Sequence, residues 1–199
     1  MANDSPSPLL LDGALGTQFA TSGFDLERDL DGHADAWEVL SLTRPEQVRA
    51  VHESYLDAGA DFIGTHTFMV LPSALEARGL ADRFERLITA AAREARAAID
   101  AWSTPERPRG VLGVLGPGLD LPSRGGRPAA AVEDEYAAAG RLLDRAEVDL
   151  LLLETCADPI QIEAAARGLR SVSERPLWIS LATIDGQLPS DFSLEEAVA

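Results

Sequence analysis

The chain contains no lysine. All 17 of its basic residues are arginine, set against 33 acidic ones, for a formal net charge of -16. A surface of that sign repels phosphate backbones, so nucleic acid is not an expected partner. Two readings of the acidity stay open: adaptation to a salt-rich cytoplasm, where repulsion is screened, and a lineage bias towards Arg and Ala. Cysteine is almost missing as well. Cys156 stands alone, so no internal disulfide framework can form. No run approaches the ~18 apolar residues of a membrane span, and no membrane partner is expected. Residues 1–8 have neither a basic region nor a long apolar stretch. They read as a short disordered lead rather than a secretory signal, which makes a cytoplasmic location the expectation. The first strand–helix junction lacks GxGxxG, and no GxxxxGK[ST] loop occurs, so neither nucleotide-binding fingerprint is present.

What is present is an alternation of short apolar runs with helical periodicity. Apolar residues make up 46% of the chain, an ordinary share for a domain with its own core. Leu9-Leu10-Leu11 enters a first strand that stops at Asp12-Gly13. A polar stretch, Thr21 to Trp37, reads as a long loop with a short helical piece. Thr43 and Glu46 form a capping-box pattern around Pro45, and Val48, Val51, Tyr55 and Ala58 continue it as a helix ended by Gly59. A second strand, Asp61 to Thr65, is followed by helices over Ser73 to Arg78 and Ala81 to Trp102. A third strand spans Gly110 to Leu115, then come a Gly/Pro-rich loop to Pro128 and a helix from Val132 to Ala146. A fourth strand, Val148 to Leu153, is unbrokenly apolar, as strands covered on both faces are. A helix over Pro159 to Val172 and a fifth strand, Leu177 to Ala182, follow. Ser193 with Glu196 then caps the start of another helix.

Repeated strand–helix units predict a parallel sheet. Pattern alone leaves two forms open, an open doubly wound sheet and part of a closed barrel. The barrel requires eight strands and usually about 250 residues. The barrel reading expects an incomplete (β/α)8 barrel of about five parallel strands with flanking helices, over residues 9–199. It would leave two unpaired strand edges and an uncovered inner face.

In such folds chemistry gathers where strands end. Asp12 and Gly13 end the first strand. A carboxylate beside small residues can approach a bound ammonium group, or it can merely cap local amides. Glu154 ends the most apolar strand, where an unpartnered carboxylate is costly. It calls for a ligand cation or for an Arg from a neighbouring loop. Thr65, His66, Gly116 and Thr183 end the other strands and are candidate pocket-lining residues. His66 is read as wall rather than base, His52 as structural and His33 as solvated. Cys156 has no Cys or His at ligand spacing, so it reads as a packed side chain rather than a nucleophile or metal ligand.

Four segments carry a family resemblance. They are Leu10-Leu11-Asp12-Gly13-Ala14-Leu15-Gly16-Thr17; Leu42-Thr43-Arg44-Pro45-Glu46 through Ala58-Gly59-Ala60-Asp61 to Thr65-His66-Thr67-Phe68; Gly113-Val114-Leu115-Gly116-Pro117; and Val148 through Leu153-Glu154-Thr155. Ser193 to Ala197 adds a weaker match. In this order they resemble the homocysteine S-methyltransferase domain family, of the type in cobalamin-dependent methionine synthase and betaine–homocysteine methyltransferase. The resemblance implies a (β/α)8 barrel that moves a methyl group to the thiol of homocysteine or a related amino acid, yielding methionine. It implies that Asp12, Gly13 and Glu154 contact the amino acid part.

The resemblance also implies zinc for the complete family domain, held by three cysteines, one after the sixth strand and an adjacent pair in a later Gly-rich segment. A metal in that role lowers a thiol's pKa. None of those cysteines falls in this chain and Cys156 matches none of them, so no bound metal and no catalytic residue are expected here. Gly64 and His66 stand where related members often have Glu and Asn, which alters the pocket wall. The expected identity is therefore the N-terminal part of such an enzyme, inactive alone. The alternatives are a half-barrel subunit completed by a second chain carrying the zinc cysteines, or a non-catalytic amino-acid-binding remnant. Methyltetrahydrofolate, S-methylmethionine, S-adenosylmethionine and betaine all stay open as the methyl donor.

Overall fold

Strands form where apolar residues run unbroken between Gly, Pro and Asp stops. In the computed structural model, which describes residues 8–118, 122–183 and 185, these are β1 (Phe62–Gly64), β2 (Gly110–Leu115), β3 (Leu150–Cys156) and β4 (Leu177–Leu181). They pair in parallel in the order β1-β2-β3-β4. The helices are α1 (Leu15–Ala20), α2 (Leu26–Leu30), α3 (Leu40–Thr43), α4 (Pro45–Ala58), α5 (Pro72–Glu76), α6 (Phe84–Trp102), α7 (Ala129–Arg145) and α8 (Pro159–Arg170). Short 3-10 turns cover Trp37–Val39, Ala81–Arg83 and Pro122–Arg124.

The first expected strand is reduced to one bridge. Leu11 pairs in parallel with Phe62, and the Asp12 N–H donates to the Phe62 carbonyl at 3.0 Å. Pro8 has no N–H to extend the ladder backwards, and the chain turns at Gly13. Leu9, Leu10 and Leu11 consequently stay 45–58% exposed.

Strand alternation sorts the side chains into two layers. Ile63, Val111, Leu115, Leu151 and Leu153 face outward into the main core, where Leu87, Ile88, Ala91 and Ala95 cover them. The last-named group lies on α6 at helical spacing. Leu112, Val114, Leu150 and Leu152 face inward and form a second cluster with Phe62 and Phe68. The sheet curls around this inner layer. Phe62 on β1 and Trp178 on β4 have ring centroids 5.8 Å apart, whereas three strand spacings would span about 14 Å in a flat sheet. That curvature identifies part of a barrel and removes the open-sheet alternative.

One local expectation changes. The capping box at α4 does not form, because the Thr43 hydroxyl donates to the Asp29 carbonyl at 2.5 Å instead. Arg44 occupies the N-cap without a side-chain bond, and Pro45 begins the helix. The polar stretch from Thr21 to Trp37 contains α2, capped by Asp25. Gly59 terminates α4 at φ 111°, as its position suggested. The expected helix over Ser193 to Ala197 lies outside the described residues.

α7 and α8 approach so closely that glycine is required between them. A Cβ on Gly168 would overlap the Glu133 carbonyl oxygen, and one on Gly140 would lie 2.7 Å from Leu169. Gly to Ala inside a helix ordinarily stabilises by about 1 kcal/mol. Gly168→Ala is expected to do the reverse, costing roughly 1–3 kcal/mol in urea unfolding, the usual penalty of overpacking.

Candidate functional site

Because the strands are parallel, their C-terminal ends share one rim. A cavity of about 440 Å³ opens there. The turn from Leu11 to Thr17, the segment Asp35 to Glu38 and the ends of β1, β2 and β3 enclose it. The inner-layer residues Leu112, Val114 and Leu152 form its floor.

Asp12 is fixed from both ends. Its backbone is held by Phe62, and its carboxylate accepts the Gly64 N–H at 2.8 Å. Gly64 must be small here, since a Cβ would lie 2.7 Å from Val114 and beside the Asp12 carboxylate. Gly13 likewise lets Tyr55 pass, and the Tyr55 hydroxyl donates to the Ala14 carbonyl at 3.2 Å. Burial pushes the Asp12 carboxyl up to about 7, the Gly64 N–H opposes this, and the negative charge of Glu154 adds to it. Burial also raises Glu154 above the ordinary carboxylate range. Among the described residues neither carboxylate has an ion-pair partner within 4.0 Å.

A bulge sets the end of β3. Leu153 pairs with Ile179 and Cys156 with Leu181, so two residues on β3 face one on β4. Thr155 supplies the bend with φ 55°, a costly conformation for a β-branched residue. Its N–H donates to the Ser180 hydroxyl at 3.3 Å. Strict alternation would point Cys156 inward after Glu154. The bulge turns it outward into the helix-covered core. Burial, then the Glu154 charge, pushes its thiol up to about 12. Glu154 and Thr155 remain on the cavity wall.

Thr65 and His66 also line the cavity. His66 is buried, with Nδ1 3.3 Å from the Ser41 hydroxyl and its ring 5.0 Å from Phe19. Burial, reinforced by His52, lowers it to about 3, so it is a neutral wall element near pH 7. His52 is fully buried on α4. Gly116 and Thr183 are not among the lining residues. Gly116 packs under Phe68, donating its N–H to the Phe68 carbonyl at 2.8 Å and accepting the Tyr136 hydroxyl at 2.7 Å. Thr183 is exposed just beyond β4. The sequence reading missed Asp35, Trp37 and Glu38, which form the wall between α2 and α3. A tryptophan inside a polar stretch was the available signal.

The described residues do not fit zinc. Among them no three His, Cys, Asp or Glu side chains are grouped to hold a metal. The chain's one cysteine points away from the cavity with its thiol firmly protonated.

The Asp12 carboxyl links the site to stability. Its folded-state pKa of about 7 lies above its ordinary 3.8. The folded chain therefore binds the proton more tightly between those values, and stability falls as pH rises through that window. At about 1.4 kcal/mol per pH unit, ionised Asp12 costs up to ~4 kcal/mol. Asp12→Asn keeps an acceptor for Gly64 without the charge. Its stability relative to the parent, from urea unfolding, is expected to be several kcal/mol more favourable at about pH 8 than at about pH 4.

Comparison with known proteins agrees with this geometry. The homocysteine S-methyltransferase family matches residues 9–199. Methionine synthase from Mycobacterium tuberculosis is 37% identical over 164 residues, which is 82% of this chain and 14% of that protein. Methionine synthase from Mycobacterium leprae is 36% identical over 159 residues, 80% of this chain and 13% of that one. The chain thus spans about one-seventh of the methionine synthases it matches. Among solved structures, the metallated form of the homocysteine methyltransferase MmuM from Escherichia coli superposes with a TM-score of 0.82 at 28% identity. That match covers 98% of this chain and 70% of MmuM. The oxidized form gives a TM-score of 0.80 at 27% identity, covering 96% and 68%. A curled parallel sheet, a carboxylate-bearing rim and a family match from residue 9 to residue 199 lead to one conclusion: the chain belongs to the homocysteine S-methyltransferase family.

Proposed function

We propose that the rim cavity holds the amino acid part of homocysteine, or of a related thiol amino acid, as the acceptor of a methyl group. The observation that carries this reading is the pair Asp12 and Glu154, two carboxylates raised by burial in one cavity wall with no cation paired to them among the described residues. An α-ammonium group is the ligand that such a pair lacks. It would bring Asp12 back to the ionised form, which is where the cost of the buried charge is recovered. Backbone groups around Gly13 lie beside Asp12 to meet the rest of the amino acid.

In this reading residues 9–199 form the amino-acid-holding part of the barrel, and residues 1–8 are a lead outside it. The zinc that activates the thiol in the complete family domain needs ligands other than those described. These come from further strands, either in the same polypeptide or in a second, complementary chain. The 199 residues alone then bind substrate without transferring methyl groups. Among the described residues no helix is long and apolar enough to cross a membrane. A cytoplasmic setting suits a chain with one unpaired cysteine.

Calorimetric titration with L-homocysteine and L-methionine tests the anchor. Because Asp12 must ionise to take an ammonium group, affinity should rise roughly tenfold between about pH 6 and about pH 8. Asp12→Asn should flatten that profile and weaken binding at the higher pH by roughly 10- to 100-fold, as loss of a charge-assisted hydrogen bond does. Equal affinity in the parent and both Asp12→Asn and Glu154→Gln would overturn the reading. For the 199 residues alone, metal analysis and a methyl-transfer assay are expected to show no stoichiometric zinc and no turnover. Tightly held zinc with turnover would contradict the division of labour.

A further inference from the structure

We infer that a groove on the outer helical face, between α3 and α6, is a binding site for a compact dianionic oxyanion of the phosphate class. The groove shares no lining residue with the rim cavity, so it stands independently of the amino-acid reading.

The hollow measures about 450 Å³. Small, buried side chains lie at its base, Ser41 from α3 and Ala90 from α6. Arg86, Thr89 and Arg93 line it at i, i+3 and i+7 on α6, which sets them along one face of that helix. The two arginines are two turns apart, about 10 Å along the axis. Two arginine side chains can close over one anion across that span. Ser41 separates the groove from the rim cavity: its hydroxyl is 3.3 Å from Nδ1 of His66, which lines the cavity.

The local charge is opposite in sign to that of the chain. Buried Glu94 is shared by two guanidinium groups. Arg49 donates to its Oε2 from Nε at 3.0 Å and from Nη2 at 2.6 Å, and Arg93 donates to its Oε1 from Nε at 2.8 Å. One carboxylate neutralises one of these cations, so the cluster keeps a positive charge. Arg93 gives Glu94 only its Nε among the described residues, and its side chain is 64% exposed. Arg86 has no ion-pair partner within 4.0 Å among the described residues, although acidic residues outnumber basic ones 33 to 17. Glu85 is the acidic side chain on the groove wall. Arg49, Arg86 and Arg93 thus face Glu85 and Glu94, three cations against two anions. Arg86 also lies in the first turn of α6, where the helix dipole adds positive potential.

These features select the ligand. The guanidinium fork matches two oxygens of a phosphoryl group, and the Thr89 hydroxyl supplies a further donor. Chloride offers no such geometry. A nucleic acid or another long polyanion would extend past the groove onto a surface whose net charge is -16, and would be repelled. A compact dianion stays inside, where charges beyond ~10 Å are screened at about 0.1 M salt. The group recognised is the phosphoryl dianion, as inorganic phosphate or as the ester of a small metabolite.

NMR of the backbone amides and arginine Nε groups of the 199-residue chain tests this, by titration with sodium phosphate at constant ionic strength. Saturable shifts are expected at Arg86, Thr89 and Arg93, with half-saturation near ~1 mM, as a few exposed charge-assisted contacts provide. Arg86→Gln should weaken binding roughly tenfold. Glu85→Gln should tighten it about two- to fivefold, a gain that misfolding cannot imitate. Arg141→Gln removes the same charge from the exposed surface of α7 and should leave binding unchanged. Equal losses in Arg86→Gln and Arg141→Gln would reduce the effect to net charge and overturn the inference. Titration with glycerol 3-phosphate identifies the source. Tighter binding of the ester assigns a phosphorylated metabolite, tighter binding of phosphate assigns the free ion, and either supports the site. Shifts that do not saturate, or tighter binding of a polyglutamate peptide, would overturn it. Neither probe carries an amino acid group, so failure of the rim-cavity reading would leave this result standing.

Discussion

Parallel strand direction is the constraint on which this structure depends. It sends β1 to β4 out of the core at the same rim, so residues distant in sequence share one cavity. The helices cover only the outer face, which leaves the inner side chains to fill the curl of the sheet. Phe62 meeting Trp178 across that curl shows how far it closes. Direction and curvature together bring Asp12, at the single-bridge edge, towards Glu154, two strands beyond β1.

The site is organised by unsatisfied charge. Most acidic residues near the core have arginine partners, as Glu94 has in Arg49 at 2.6 Å and Glu135 has in Arg127 at 2.7 Å. Those pairs tie helices and loops together. Among the described residues Asp12 and Glu154 have no such partner, although the chain carries 17 arginines. Asp35 and Trp37 line the same cavity. In having no partner among the described residues, Asp12 and Glu154 differ from Glu38 on the same cavity wall, which pairs with Arg78; that difference is what the proposed cationic ligand rests on.

Much of this was legible in the sequence, for identifiable reasons. β2 is bounded by Gly110 and Gly116, so its limits could be read directly. Asp12 and Glu154 stood out because a charge at the end of an apolar run requires a partner. The curl was not readable, since it depends on contact between β1 and β4, which lie far apart in sequence. The α4 cap was misread because the Thr43 hydroxyl found a carbonyl on a different helix. Asp35, Trp37 and Glu38 were missed because they lie in a segment without periodicity. The left-handed Thr155 was invisible because a bulge is defined only against its partner strand.

Asp12 is a half-buried carboxyl at the cavity wall, and a cation is its proposed ligand. Its titration by carboxyl-selective carbon NMR, with and without L-methionine, measures this directly. The account predicts a midpoint of about 7 in the free chain. It predicts a fall of about 1–3 pH units when the amino acid is bound, as a nearby positive charge produces. A midpoint in the ordinary carboxylate range, unmoved by saturating amino acid, would contradict it.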